Sequence, residues 1–222
     1  MGVFKRPTKP KKGQHQYWYM RCQYKGREKK TAAEQEVFDL LTRRELSKAA
    51  RTLASYEATQ VFPRGAILGV GGEMLRGEEL REDVTKGTIR DLEVIFSETP
   101  GILKGIDTSR LEKLRVATGM MLLSGHSKKA RSWLPDGFET GIHLDGDVAA
   151  RMLVFYASRK RDIETYKEMG VKNLEVWTVG DDCPECREIS GKKYLLANAP
   201  ELPHPKCTSK MRCRCSINAL FD

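Results

Sequence analysis

Five of the six cysteines of this 222-residue chain fall between positions 183 and 215, and His204 stands among them. A segment that short cannot bury enough apolar surface to hold itself folded, so something must cross-link it. Cys183-Pro-Glu-Cys186 comes first, then His204-Pro-Lys-Cys207, then Cys213-Arg-Cys215. Two cysteines separated by two residues can turn both sulfurs onto one ion. A second pair, brought back after a hairpin of roughly twenty residues, fills a tetrahedral zinc shell. The pattern therefore predicts a knuckle around one structural zinc ion. Its candidate ligands are Cys183, Cys186, His204, Cys207, Cys213 and Cys215. Cys183 and Cys186 form one pair, and the partners favoured are His204 or Cys207 plus one sulfur of the Cys-Arg-Cys segment. Three other uses of clustered cysteines compete: disulfides, a redox Cys-x-x-Cys and a catalytic metal. The redox use requires the motif to open a helix in a thioredoxin-like βαβ unit, which the sequence does not suggest. The catalytic use requires an open coordination position, and a shell filled by sulfur leaves none.

The rest of the chain reads as helical. Thr31 and Glu34 have capping-box spacing, and Val37, Leu41, Leu46, Ala49, Leu53 and Tyr56 continue one helical stripe to about residue 60. Residues 63–77 contain Pro63 and five glycines and read as a mobile loop. They lack the arrangement of a phosphate-binding loop. Further helices are expected from Glu78 to Ser97, from Asp107 with Ser109 and Glu112 as a capping box, and from Asp147 to Met169 with Gly170 as C-cap. Leu174 to Val179 alternates like a strand, and a second strand is expected near Tyr194 to Leu196. The predicted fold class is mainly α: a helical body, then a small α+β zinc-knuckle domain. The divisions are 1–30, 31–146 and 147–222.

Charge is unevenly placed. The net charge is +9, and residues 1–30 carry ten Lys and Arg against the single acid Glu28. The other 192 residues balance 29 basic against 29 acidic side chains. The chain thus reads as a neutral body with a basic, extended arm, whose root carries Tyr17, Trp18 and Tyr19. A neutral body argues against a domain whose main surface grips duplex DNA. No run approaches 18 apolar residues, so no membrane span is expected. No apolar segment follows the basic N-terminus, so it does not read as a secretory signal.

The C-terminal third carries a resemblance. A helix ending in Tyr166-Lys-Glu-Met-Gly170 precedes Trp177-Thr178, then Cys183-x-x-Cys186, Gly191, and Leu-Pro-His-Pro-x-Cys over 202–207 leading to Cys213-Arg214-Cys215. In order, spacing and residue type this resembles the C-terminal domain of the phage Mu F-type minor head proteins, or head morphogenesis proteins. The likeness covers about residues 147–217. It departs from the family where Thr208–Arg212 separate Cys207 from Cys213, and where Ala157-Ser158-Arg159 replaces an Arg-Thr-Glu. The resemblance implies a virion component near the portal vertex, acting in head assembly or DNA delivery and assembled in the host cytoplasm. Its partners would be portal or major capsid protein, with packaged DNA possible through the arm. No triad, acid pair or phosphate loop can be assembled from the residues, so no enzymatic activity is expected. The alternative function is a zinc-dependent nucleic-acid-binding regulator. A His-Asn-His nuclease needs paired histidines, and His15, His126, His143 and His204 are scattered.

Overall fold

A computed structural model describes residues 34–58, 66–68, 74–124, 129–178, 183–210 and 213–221. The basic arm, the Thr31 cap, His15, Cys22 and His126 lie outside the described residues. The described chain is mostly helical, with a small antiparallel sheet near its C-terminal end. Among the described residues no helix is long and apolar enough to cross a membrane.

The stripe expected as one helix from 31 to 60 is two helices. Helix α1 covers 34–42 and α2 covers Leu46–Ala58. Between them Arg44 takes a left-handed conformation, φ 60°. The Glu45 N–H donates to the Leu40 carbonyl and the Arg44 N–H to the Leu41 carbonyl, at 2.9 and 3.0 Å. These are the two bonds of a Schellman ending, here with arginine in the seat usually taken by glycine. The Arg44 guanidinium then reaches Glu112 on the next layer, 2.8 Å away.

The glycine-rich stretch is not wholly a loop. Ala66–Leu68 (β1) pairs antiparallel with Met74–Arg76 (β2), so strands are not confined to the C-terminal unit. Two short apolar runs separated by five residues containing three glycines suit a hairpin. Helix α3 follows directly, Gly77–Ser97.

Helix α4, Thr108–Leu123, is buried on almost every side: Leu111, Leu114, Ala117, Thr118, Gly119, Met120 and Met121 are all covered. Its N-cap is Asp107, whose carboxylate accepts from the Arg110 N–H, rather than Ser109. Glu112, expected to complete that box, instead pairs with Arg115 and Arg44. Helix α5, Gly146–Glu168, packs against α3 and α4. It is capped by Asp145, and at its other end Gly170 sits at φ +73° as the expected left-handed stop.

The sheet has the order β4-β3-β5, all antiparallel. Its strands are Asn173–Thr178 (β3), Lys193–Leu195 (β4) and Cys215–Leu220 (β5). Strand β5 was not anticipated. Its register sets Ile217 beside Val176 and Cys215 beside Thr178. By the two-residue alternation of strands, Leu174, Val176, Ile217 and Cys215 share the covered face, and Trp177, 51% exposed, stands on the other. One cluster of buried side chains runs without a break from Val37 in α1 through α3, α4 and α5 to Ile217.

Candidate metal centre

The site is built from three chain passages that the sheet brings together. The first leaves β3. Cys183, in an extended conformation, caps the short helix α6, Pro184–Ile189, and its Sγ accepts from the Cys186 N–H at 3.4 Å. Pro184 suits the first helical position, where no N–H is needed. The motif thus opens a short helix. The strands around it are antiparallel, however, so the parallel βαβ frame of a thioredoxin-like site is absent from the described residues. Gly191 then turns the chain back at φ +74°, and its N–H reaches the Val176 carbonyl at 2.7 Å. An L side chain is strained at that φ.

The second passage is Leu202 to Ser209. Cys207 is fully buried, and its N–H donates to the His204 carbonyl at 2.8 Å. The passage is locked to the body at Gly101. The Gly101 N–H donates to Glu201, and a Cβ on Gly101 would lie 2.9 Å from Pro205 Cγ. The third passage is Cys213 entering β5 at Cys215. Cys213 N–H donates to the sulfur of Met152 on α5, at 3.1 Å.

The result is a buried five-sulfur cluster. Cys183, Cys186 and Cys207 have their sulfurs within 4.8 Å of one another, and so do Cys186, Cys213 and Cys215. Each of the five is 5% exposed or less. None is in a disulfide. A tetrahedral zinc–thiolate shell has sulfurs about 3.8 Å apart, by the usual zinc–sulfur bond length, and each of the two triads keeps its sulfurs within 4.8 Å. Buried thiols with no carboxylate among them in the described residues suit a soft or borderline ion and not calcium or magnesium. These cysteines can hold a metal ion.

His204 is not part of either group. Its Nδ1 accepts from the Lys206 N–H at 3.3 Å, and its carbonyl holds Cys207. In this structure it shapes the turn that delivers Cys207. His143, the other described histidine, is exposed and belongs to neither group.

The sulfurs do not ionise independently. Cys207 is drawn down to about 2 by the thiols of Cys186 and Cys213, which donate to it and outweigh its burial. Cys215 is drawn down to about 3, by Cys186 first and then Cys213, with the Thr178 hydroxyl helping. Cys186 is pushed up, mainly as donor to Cys207. Cys213 is pulled down by Cys186 but pushed up further by Cys207, Cys215 and burial. The thiols thus share protons among themselves. A bound cation would take the place of those protons, so metal uptake would release them.

Backbone groups complete the surroundings. N–H groups of Cys186, Ser209 and Cys215 point at the sulfurs of Cys183, Cys207 and Cys213 respectively. Such donors stabilise thiolates and fix their direction. Sequence reasoning missed Thr178, Ser209 and Met152. Only Thr178 carried a signal, as part of the Trp-Thr pair. No known family, curated protein or solved structure matches the chain.

Proposed function

We propose that the chain is a structural protein of a phage head, seated at the portal vertex, in which one zinc ion closes the C-terminal unit. The observation that carries this reading is the convergence of Cys183, Cys186, Cys207, Cys213 and Cys215 on one buried cluster. They come together in the chain order that resembles the Mu F-type minor head proteins. Other parts of that pattern have physical work in the same unit: Gly170 stops α5, Gly191 turns the chain under β3, and the His-Pro turn presents Cys207. A sulfur-filled, buried shell suits a structural ion and leaves no open position for substrate. The protein is then a binding component, its partners the portal or major capsid protein.

Co-expression tests this. The full chain and a phage portal protein from the same genome should co-purify as a complex that survives moderate salt, and mass spectrometry of purified virions should detect the chain. Its absence from virions, with no portal complex, would exclude the head reading. The confinement of all net charge to residues 1–30 favours a second reading, a zinc-dependent nucleic-acid-binding regulator. Binding to free duplex DNA would then weaken with salt by roughly one logarithmic unit of slope per neutralised phosphate.

A further inference from the structure

The cluster holds five sulfurs, and a tetrahedral ion takes four. The two sulfur triads share Cys186, which lies within 4.8 Å of each of the other four sulfurs. Three of the remaining four cysteines have the marks of standing ligands. Cys183, Cys207 and Cys213 each receive a backbone N–H, from Cys186, Ser209 and Cys215. Cys213 also bridges the triads, because its thiol interacts with both Cys186 and Cys207. Cys215 differs. Its sulfur meets Cys186 and Cys213, senses Cys207 only through charge and not through a hydrogen bond, and is held by the Thr178 hydroxyl, its neighbour across the β3–β5 ladder. Cys213 and Cys215 are both buried and flank the exposed Arg214, so the two sulfurs enter the cluster from one side of the chain.

We infer that Cys183, Cys186, Cys207 and Cys213 are the resident ligands, and that Cys215 is a reserve thiolate which takes the fourth position when Cys213 is lost. This rests on the zinc reading above. It adds that the fourth position is exchangeable while the other three are not. Thr178 keeps the reserve sulfur beside the ion without committing it.

The experiment uses the full chain, purified without chelator, and reads zinc content, chelator competition and the cobalt(II)-substituted spectrum. Circular dichroism confirms that the helices remain. Wild type, Cys213→Ser and Cys215→Ser should each hold about one zinc and show the charge-transfer intensity of four thiolates on cobalt. Cys183→Ser, and the double variant Cys213→Ser with Cys215→Ser, should lose about a hundredfold or more in affinity, one ligand's share of a four-ligand site. The inference is overturned if Cys213→Ser binds as poorly as the double variant, or if it binds with only three thiolates on cobalt. It is also overturned if the double variant binds like wild type, or if wild type takes up two ions. Wild type without any bound metal would instead sink the zinc reading itself.

Discussion

Asp91 is the described side chain whose burial and charge are most at odds. It sits on α3, 5% exposed, with one oxygen 2.5 Å from the Arg161 guanidinium of α5 and the other without a partner. Burial raises its pKa to about 6 against the pull of Arg161, and nearby Asp162 adds to the rise. In an unfolded chain the same carboxyl titrates near 3.9. Between those two values the folded protein binds a proton that the unfolded chain does not. This group's contribution to stability therefore grows as pH falls through 6 and levels off below about 4. Glu98, Glu112 and Asp147 behave oppositely. Each is buried enough to be pushed up, but Tyr156 and Lys160, Arg115 and Arg44, and Arg131 respectively hold them below the usual carboxylate range. Their contributions are lost as pH falls through those lowered values. Comparing wild type with Asp91→Asn isolates the first effect, since the other three groups are common to both. Between pH 7.5 and pH 5 the wild type should gain on the order of 1 kcal/mol relative to the variant in denaturant unfolding. Parallel curves would show that Arg161 compensates the buried charge completely.

At the scale of elements, α5 joins the body to the cysteine cluster, so its start matters more than its length. Asp145 accepts from the Val148 N–H at 2.9 Å, and Asp147 accepts from the Arg131 backbone at 2.9 Å. One carboxylate caps the helix and the other ties the preceding segment to it. Asp145→Ala should cost about 1 kcal/mol in thermal or denaturant unfolding, the usual worth of a cap, and a change within error would mean that Asp147 suffices. This helix was legible in the sequence to within a residue, as were α3 and the Gly170 stop, because a long apolar stripe closed by glycine has few other readings. Elements decided by backbone groups were not legible. The break at Arg44 has no glycine to announce it. The cap of α4 moved to Asp107 because the better-placed carboxylate lay two residues before the predicted serine. Strand β5 was hidden because Cys215 read as a ligand and not as the first inward residue of Cys-Ser-Ile-Asn-Ala-Leu. Of the six predicted ligands, the five cysteines do gather. His204 lies in the right segment, but a Pro-bounded turn uses its carbonyl and Nδ1 for the backbone.

For the whole molecule, the question is whether the end that carries the cysteine cluster and the helical body are one cooperative unit. The buried cluster is continuous from Val37 to Ile217, which argues for coupling. The direct ties across the junction are few and specific: Met152 Sδ to the Cys213 N–H, the Tyr166 hydroxyl donating to the Ile217 carbonyl at 3.2 Å, and Glu201 with Pro205 against Gly101. The body has its own interior in Leu40, Leu41, Leu92, Ile95, Leu103, Leu114 and Leu153, all essentially inaccessible to solvent. The C-terminal unit has little beyond Leu174, Val176, Leu196, Leu202, Ile217 and the sulfurs themselves. Removing the ion from a site of this kind leaves several buried thiolates without a counter-charge, a large penalty for so small a core. Chelation should therefore release β3, α6, β4 and β5 while α3 and α4 stay folded, with the last turn of α5 fraying because Tyr166 loses its partner. Amide hydrogen exchange with and without chelator separates the cases. Protection should collapse beyond about residue 171 and persist across 92–121. Loss of protection throughout would show that the continuous core makes the molecule one cooperative unit whose stability depends on the metal. Unchanged protection across 173–220 would show that the sulfur cluster needs no ion to hold its shape.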